Sequence, residues 1–254
     1  MSYPLLTQSH YIPGKEALLV YVEYGDFLVD YYLHAKSLNE VVAVEHVEKL
    51  KQLFACFAAH LTIQPASGSH AWTLHLHGEQ PISLFVAGEV QRGFMVGHVI
   101  SSNIRHTDVN TLHAQVINHG ESNTSSVQCE SSEISEIVEH FYIQSEQLPL
   151  KLSLATDSDT IIALAAMPDH DPEWFAGADL IQLKSNPESA WKLMRKCEFV
   201  FSCDCSPEKL VPYFRTIHPA EIEELFGEDD SLTITCPRCG RDFELNRGHL
   251  KLDS

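Results

Sequence analysis

Positive charge is scarce in this sequence. Its 254 residues carry 17 Lys and Arg against 35 Asp and Glu, a formal charge of −18 at pH 7. Because binding to nucleic acid and to anionic lipid depends on clustered basic side chains, we expect no nucleic-acid partner and no membrane partner. Long apolar runs are lacking too, since no uninterrupted stretch approaches the roughly 18 residues that cross a bilayer.

Signals for secretion and for common enzyme chemistry are missing as well. The first 16 residues show no basic segment followed by an apolar stretch, so we expect a cytoplasmic protein. We find no Gly-rich phosphate loop, no Gly-x-Ser-x-Gly elbow and no His-Glu-x-x-His motif. The sequence therefore indicates a protein that is not an enzyme.

Hydrophobic periodicity predicts an α+β fold in which an N-terminal antiparallel sheet is packed with helices. Ser37-Leu38-Asn39-Glu40 fits a capping box, and the apolar residues from Val44 to Leu61 recur at three and four residues, which predicts a helix with one buried face. Strand-like segments separated by glycines and polar residues lie at 72–76, 82–87, 94–100, 112–117, 150–155 and 161–166. We expect helices to cover one face of this sheet.

The rest of the pattern suggests three parts. The apolar stretch 14–29 is expected to form two short strands, and a second helix is predicted over 132–144. Asn186-Pro187 is a typical helix start and predicts a further helix reaching Cys197. We therefore place an α+β core domain at 1–166, a short linker with a helix at 167–198, and a small C-terminal domain at 199–254.

The seven cysteines favour metal or redox chemistry over structural disulfides in a reducing compartment. Cys203 and Cys205 are followed, after 30 residues, by Cys236 and Cys239. Four thiolates in two close pairs suit tetrahedral zinc, and we predict one ion bound by all four. The second pair fits a turn between strands at 232–234 and 243–245. We expect the first pair to lie on a strand. Residues two apart on a strand point to the same face, so both sulfurs could reach one ion.

Other metal ligands remain open at this point. A ligand set that includes His218 or His249 is an alternative, although four cysteines already complete the shell. His75 and His77 share one face of a predicted strand, but no third ligand is near in sequence, and a solvated sheet face is the better interpretation. A bland alternative is that the zinc only holds a small domain together.

Three cysteines lie outside the two pairs. Cys56, Cys129 and Cys197 are scattered, as buried apolar cysteines usually are. Cys197 is six residues before Cys203 and could exchange with it after loss of the metal, but an unreactive apolar position is the preferred interpretation.

Two independent motifs resemble the heat shock protein 33 family, the 33 kDa chaperonins. Phe201-Ser202-Cys203-Asp204-Cys205-Ser206-Pro207-Glu208, with the later Cys236 and Cys239, is similar to the family's C-terminal zinc domain. Upstream, Phe141-Tyr142-Ile143-Gln144-Ser145-Glu146-Gln147-Leu148-Pro149 is similar to the family signature aromatic-x-x-Ser-Glu-Gln-Leu-Pro. Weaker similarities at 91–94 and 113–118 keep the family's order. Residues Ser145, Glu146, Gln147, Leu148 and Pro149 form the core of the signature.

The resemblance implies a redox-regulated, ATP-independent chaperone that holds unfolding proteins under oxidative stress. In that family the reduced, zinc-bound form is inactive. Oxidation by hypochlorous acid or peroxide, together with unfolding, expels zinc, forms one disulfide within each pair and gives a dimer that holds unfolded clients. Carried over, the disulfides would be Cys203–Cys205 and Cys236–Cys239. The expected partners are then unfolded or misfolded proteins, and the oxidised chain is expected to be a homodimer.

The sequence also departs from the family. The connector between Ala166 and Phe201 is shorter than the usual linker, Pro212 interrupts a helix that family members continue, and 125–129 is polar where an apolar stretch is expected. Constitutive or weakly inducible activity is therefore an alternative. The rival function is a zinc-stabilised interaction or adaptor protein without a redox gate, while a zinc-ribbon nucleic-acid module is opposed by the charge of −18.

Overall fold

The computed structural model describes residues 3–38, 42–101, 104, 108–154, 159–185, 190–214 and 217–250. The chain divides into two compact units, Met1–Ser202 and Cys203–Ser254. Among the described residues, no helix is both long and apolar enough to cross a membrane.

The first unit contains ten strands, five helices and a π-helical turn in its described part. The strands are β1 Leu5–Ile12, β2 Ala17–Glu23, β3 Ser69–Leu76, β4 Ile82–Glu89, β5 Phe94–Ile100, β6 Asn110–Asn118, β7 Glu121–Cys129, β8 Leu150–Leu154, β9 Thr160–Ala166 and β10 Lys192–Phe201. The helices are α1 Phe27–Ser37, α2 Val44–Ile63, α3 Ile134–Phe141, α4 Pro172–Gly177 and α5 Leu180–Ser185, and the π-helical turn is Tyr142–Glu146.

All ten strands join in one sheet of order β7-β6-β3-β4-β5-β10-β1-β2-β9-β8. The neighbouring pairs are antiparallel except for β5 and β10, which run parallel where Val200 pairs with Phe94. The predicted α+β class is confirmed, and so is the antiparallel character of most of the sheet. Strand β10 thus lies between β5 and β1 and joins the two parts of the sheet, β7-β6-β3-β4-β5 and β1-β2-β9-β8.

Helix α2 forms the centre of the core, as its periodicity predicts. Its apolar face packs on the middle strands and buries Leu50, Phe54 and Phe57, each no more than 1% exposed. Gly97 in β5 allows the close approach of this helix, because a Cβ there would lie 2.8 Å from the ring of Phe54 and 2.3 Å from the Phe85 carbonyl oxygen. The contact therefore requires glycine on the strand.

The opposite face of β1, β2 and β9 is also covered, which the sequence did not predict. Residues of β2 alternate, with Val20 facing the α2 core and Leu19 facing a second apolar cluster. Phe175 of α4 and Leu180 of α5 complete that cluster. Asp171 caps α4 by accepting from the Trp174 backbone N–H. The stretch expected to be a linker thus supplies a helical cover for the sheet.

The helix predicted to run from Asn186-Pro187 to Cys197 is wrong over its second half, because that segment lies in strand β10. Residues 186–189 lie outside the described part of the chain, and Lys192–Phe201 is a strand that pairs with β1 along most of its length. The alternation of β10 turns Phe199 and Phe201 toward the α2 core. Pairing with a strand far away in sequence overrides the local helix signal here.

Two predictions near the N-terminus are also wrong in part. The stretch 14–29 holds one strand, β2, and then enters α1 rather than a second strand. Ser37 ends α1, and its hydroxyl donates to the His34 carbonyl at 2.6 Å instead of capping the next helix. Glu40 lies outside the described residues, and α2 begins at Val44 after Ala43.

The second unit is small. It contains helices α6 Pro207–Phe214, α7 Pro219–Phe226 and α8 Arg247–Leu250, and a two-stranded sheet of β11 Ser231–Thr235 and β12 Asp242–Asn246. The hairpin strands were predicted. Pro212 was expected to kink or end the first of these helices, and α6 continues two residues past it. The buried apolar core of the second unit consists of Val211, Ile222, Phe226 and Leu245.

Candidate metal centre

The second cysteine pair is positioned by the β11–β12 hairpin. The Cys236 N–H donates to the Arg241 carbonyl at 2.8 Å, and the Gly240 N–H donates back to the Cys236 carbonyl at 2.9 Å. Gly240 takes a φ of +75°, which glycine adopts without strain. Cys236 and Cys239 are buried, at 1% and 0% exposure. A tight turn therefore presents two sulfurs from one short segment.

The first pair lies just after β10, not on a strand as predicted. Residues 202–206 have no regular structure, and Cys203 and Cys205 are half-buried. The strand argument for this pair is therefore wrong in its geometry, because β10 ends at Phe201. Both sulfurs nevertheless lie close to those of the second pair.

The four sulfurs form one cluster. All lie within 4.8 Å of one another, with Cys203 Sγ 4.0 Å from Cys236 Sγ and Cys205 Sγ 3.5 Å from Cys239 Sγ. Tetrahedral zinc with Zn–S bonds of about 2.3 Å separates its sulfurs by about 3.8 Å, so the observed spacing fits this ion. Within the described residues, no other group of three or more His, Cys, Asp or Glu side chains is arranged to hold a metal.

Hydrogen bonds between the sulfurs shift the thiol pKa values in opposite directions. Hydrogen bonds from Cys203 and then Cys239 hold the pKa of the Cys236 thiol far below its usual range. The same bonding to Cys236 raises the pKa of Cys203 to about 12, and bonding to Cys203 and Cys236 raises the pKa of Cys239. A divalent metal would supply the positive charge that keeps all four sulfurs as thiolates.

Charged side chains connect the two cysteine segments. Asp204, between Cys203 and Cys205, pairs with Lys209 at an Nζ–Oδ2 distance of 2.7 Å. The guanidinium of Arg238, between Cys236 and Cys239, lies 3.9 Å from the other Asp204 oxygen. These side chains are partly exposed, so each pair contributes at most about 1 kcal/mol. They align the segments but cannot replace a metal.

Among the alternative ligands whose side chains the structure describes, none belongs to the cluster. His218 instead accepts from the Ala220 N–H at the start of α7, and the side chain of His249 lies outside the described part. His75 bonds to Ser83 Oγ at 2.6 Å and its ring lies 5.3 Å from that of His113. The backbone N–H of His77 donates to Asn110.

The three remaining cysteines are dispersed in the first unit. Cys56 is buried on α2, and burial raises the pKa of its thiol. Cys129 ends β7, and Cys197 packs against the core from β10 rather than from a helix. None of them belongs to the four-sulfur cluster.

The signature motif forms a structural corner. Ser145 Oγ lies 2.9 Å from Ser125 Oγ, and Glu146 accepts from Gln64 Nε2 at 2.7 Å. Gln147 takes a left-handed φ of 58°, and the Pro149 carbonyl accepts from the Ala166 N–H. The motif thereby joins the π-helical turn to the end of α2 and to β9.

Sequence reasoning missed a buried polar group beside this corner. His60, on α2, bonds to Tyr142 and to His70 of β3. Arg195 of β10 donates to the carbonyls of Leu61, Thr62 and Gln64 at the end of α2. The available signal was a histidine on the otherwise apolar face of α2.

The fold and the cluster together define a class of protein: an α+β sheet domain followed by a small unit whose four clustered cysteines could hold a metal ion. Comparison with known proteins gives the family. The family model described as Hsp33 protein matches residues 49–183 and 176–246. The chain therefore belongs to the Hsp33 family, and the resemblance seen in its motifs is confirmed.

Individual relatives are distant. The chain is 26% identical over 157 residues to the 33 kDa chaperonin of Lactobacillus helveticus, covering 50% of this chain and 52% of the relative. It is 26% identical over 211 residues to the 33 kDa chaperonin of Escherichia coli, covering 68% and 71%. The matched stretch thus spans about half the length of the first of these relatives.

A solved structure shows the same fold along nearly the whole chain. The crystal structure of the 33 kDa chaperonin (heat shock protein 33 homolog) of Thermotoga maritima superposes with a TM-score of 0.64. The match covers 97% of this chain and 96% of that one at 16% sequence identity. At this identity the likeness establishes the fold alone.

Proposed function

We propose that this protein is an ATP-independent chaperone that holds unfolding proteins, and that oxidation of its four-cysteine cluster activates it. Membership of the Hsp33 family supports the chaperone class. The proposal that oxidation controls the activity, which we call the redox gate, rests on one observation. Four sulfurs lie within 4.8 Å of one another in a unit with a small core. We further propose that it acts in the cytoplasm on unfolded or misfolded proteins and is not an enzyme.

The proposed resident metal is one zinc ion. Cys203, Cys205, Cys236 and Cys239 would hold it, and zinc would supply the positive charge that keeps four sulfurs ionised. The turn at Gly240 and the ion pair of Asp204 with Lys209 hold these sulfurs near their places. The chain thus carries thiolates, the oxidisable form of cysteine, in its resting state.

The proposed activating step is disulfide formation within each pair. Two thiolates give two electrons to one peroxide molecule, which takes up two protons and leaves as two waters, while the sulfurs join. Cys203–Cys205 and Cys236–Cys239 are the bonds that the family resemblance implies. Each disulfide removes two anionic ligands, so metal affinity is lost and the metal is released.

Loss of the metal is expected to unfold the second unit. Its core consists of Val211, Ile222, Phe226 and Leu245, with a few partly buried neighbours. Four such side chains contribute about 6–12 kcal/mol of burial free energy. A structural zinc contributes a comparable about 10–16 kcal/mol. Unfolding would expose these apolar side chains, which could then bind clients or a second copy in an oxidised homodimer.

The test is light scattering from a thermally unfolding client protein without ATP. Reduced, zinc-loaded protein should leave aggregation unchanged, and protein treated with peroxide at mildly raised temperature should suppress it. Cys236→Ser should remove the need for oxidant, whereas Cys129→Ser, outside the cluster, should behave as the native chain. Equal suppression in both redox states would support constitutive action, and no suppression in either would favour the adaptor function.

Zinc content and disulfide mapping test the gate directly. The reduced chain should bind one zinc per chain and release it on oxidation. Mass spectrometry should then find both within-pair disulfides. If zinc stays bound after both pairs have been challenged with oxidant, the gate is wrong even if the chaperone activity is real.

A further inference from the structure

A hydrogen-bonded chain of ionisable side chains is buried in the first unit. His60 is 3% exposed and His70 is 6% exposed. His60 Nδ1 lies 3.0 Å from the Tyr142 hydroxyl, and His60 Nε2 lies 3.1 Å from His70 Nδ1. Both ring nitrogens of His60 are therefore committed to partners inside the protein.

Aromatic rings enclose His60. Its ring centroid lies 4.7 Å from that of Trp72, 6.1 Å from that of Phe57 and 6.4 Å from that of Phe141. The Tyr142 hydroxyl is in the same enclosure, and its side chain is 1% exposed. Such surroundings offer little solvation to a charge.

The charged groups near His60 and His70 are hydrogen-bonded to other partners. The Arg195 guanidinium lies against the end of α2, donating to the Thr62 carbonyl at 3.1 Å. Glu146 of the π-helical turn bonds to Gln64 rather than to a histidine. Glu89 of β4 bonds to Ser69.

Two further titratable groups face this region from the helices. Cys56 of α2 is fully buried with a raised pKa and stays a neutral thiol. Glu139 of α3 accepts from the Leu152 N–H, and burial raises the pKa of its carboxyl. Burial likewise raises the pKa of Glu146. No described carboxylate is hydrogen-bonded to either imidazole ring.

We propose that the His60–His70–Tyr142 chain is an acid-sensitive switch in the first unit. With both rings neutral, one hydrogen is shared across the 3.1 Å contact between His60 Nε2 and His70 Nδ1. With both rings protonated, each facing nitrogen carries hydrogen and the contact joins two cations. Protonation therefore belongs to an opened junction of α2, β3 and the π-helical turn, and mild acid shifts the population from the closed, neutral form toward the opened one, independently of the four cysteines.

The direction and size of the change in folding stability with pH follow from the burial of the two histidines. Burial, and then the neighbouring His70, holds the pKa of His60 well below its usual value, and burial lowers the pKa of His70. Stability from this pair is complete above the unfolded pKa of about 6.5 and is lost as the pH falls below it. From pH 7.5 to 5.5 the unfolding equilibrium constant should rise by up to about 10-fold for each histidine, and by up to about 100-fold for both.

The experiment is equilibrium urea unfolding of the full chain at pH 7.5 and 5.5, followed by tryptophan fluorescence. It is run in parallel with excess zinc and with chelator plus reductant, so that acid release of the metal is separated from the switch. The double variant His60→Gln and His70→Gln, which cannot titrate at these positions, should lose about 10- to 100-fold of the pH dependence. His119→Asn, at an exposed turn position, should keep it.

The pH slope distinguishes this switch from a merely structural role, which would lower stability equally at both pH values. His10, whose pKa burial also lowers, contributes alike to all variants. A double variant whose pH dependence stays within about threefold of the native chain overturns the proposal.

A second measurement, made on the native chain, tests the proposal even if the double variant fails to fold. Ring-proton NMR at decreasing pH should show, in the folded protein, that His60 stays neutral at pH 5.5 and that His70 titrates with a midpoint below its ordinary value of about 6.5. Ordinary titration of both rings with a midpoint near pH 6.5 in the folded state would overturn the switch.

Discussion

Removal of the metal is the perturbation that tests the energetic argument for the second unit. Folded domains are stable by only about 5–15 kcal/mol. A structural zinc contributes about 10–16 kcal/mol of apparent folding free energy. The buried set Val211, Ile222, Phe226 and Leu245 contributes no more than about 12 kcal/mol before the chain entropy is subtracted. The second unit should therefore unfold when the metal is withdrawn.

Hydrogen exchange measured by mass spectrometry resolves the two units in one experiment. In the full chain, with chelator and reductant present, the Cys236 and Gly240 amides, bonded within the hairpin, should lose their protection. Amides of the β1–β2 pair should stay protected as an internal control. Cys236→Ser should reproduce the effect without chelator, and Cys129→Ser should not.

Persistent protection of the β11–β12 hairpin in the metal-free chain would refute this reasoning. It would mean that the apolar core alone stabilises the second unit. Oxidation could then form disulfides without a conformational consequence, and the proposed gate would fail with the energetic argument.

Two further predictions concern the first unit. Gly97→Ala should lower the free energy of unfolding by about 1–3 kcal/mol, because its Cβ would overlap Phe54 and the Phe85 carbonyl. Urea denaturation measures this loss. Gly78→Ala is the control, because its Cβ would meet no atom within 4 Å. Arg195→Met should cost a similar about 1–3 kcal/mol, because carbonyls at the end of α2 lose their donor. Lys196→Met, exposed next to it, should cost much less, and equal losses would contradict the capping role.

The sequence predicts features that depend on short-range pattern. The spacing from Val44 to Leu61 defines the buried face of α2, which local geometry alone determines. The two cysteine pairs identify the cluster because each pair comes from one short segment. The turn at Cys236-Pro237-Arg238-Cys239 lies between β11 and β12 as expected.

Features set by distant pairing could not be read in the same way. The stretch before Cys203 has a good helix start and apolar residues at helical spacing, yet it forms β10 between β1 and β5. Nothing in the local sequence identifies those partners. The buried contact of His60 with His70 and Tyr142 depends on the same kind of long-range assembly. A histidine on an apolar helix face only indicates that a buried partner exists.

Strand β10 also determines how far unfolding of the second unit can spread. It ends at Phe201, two residues before Cys203, the first cysteine of the cluster. Phe201 lies among the rings of Phe27, Tyr31 and Phe54, and the Ser202 N–H donates to the Met95 carbonyl. Breaking these contacts costs buried aromatic area as well as sheet hydrogen bonds. Loss of the metal should therefore unfold the chain after Ser202 and leave β10 in the sheet.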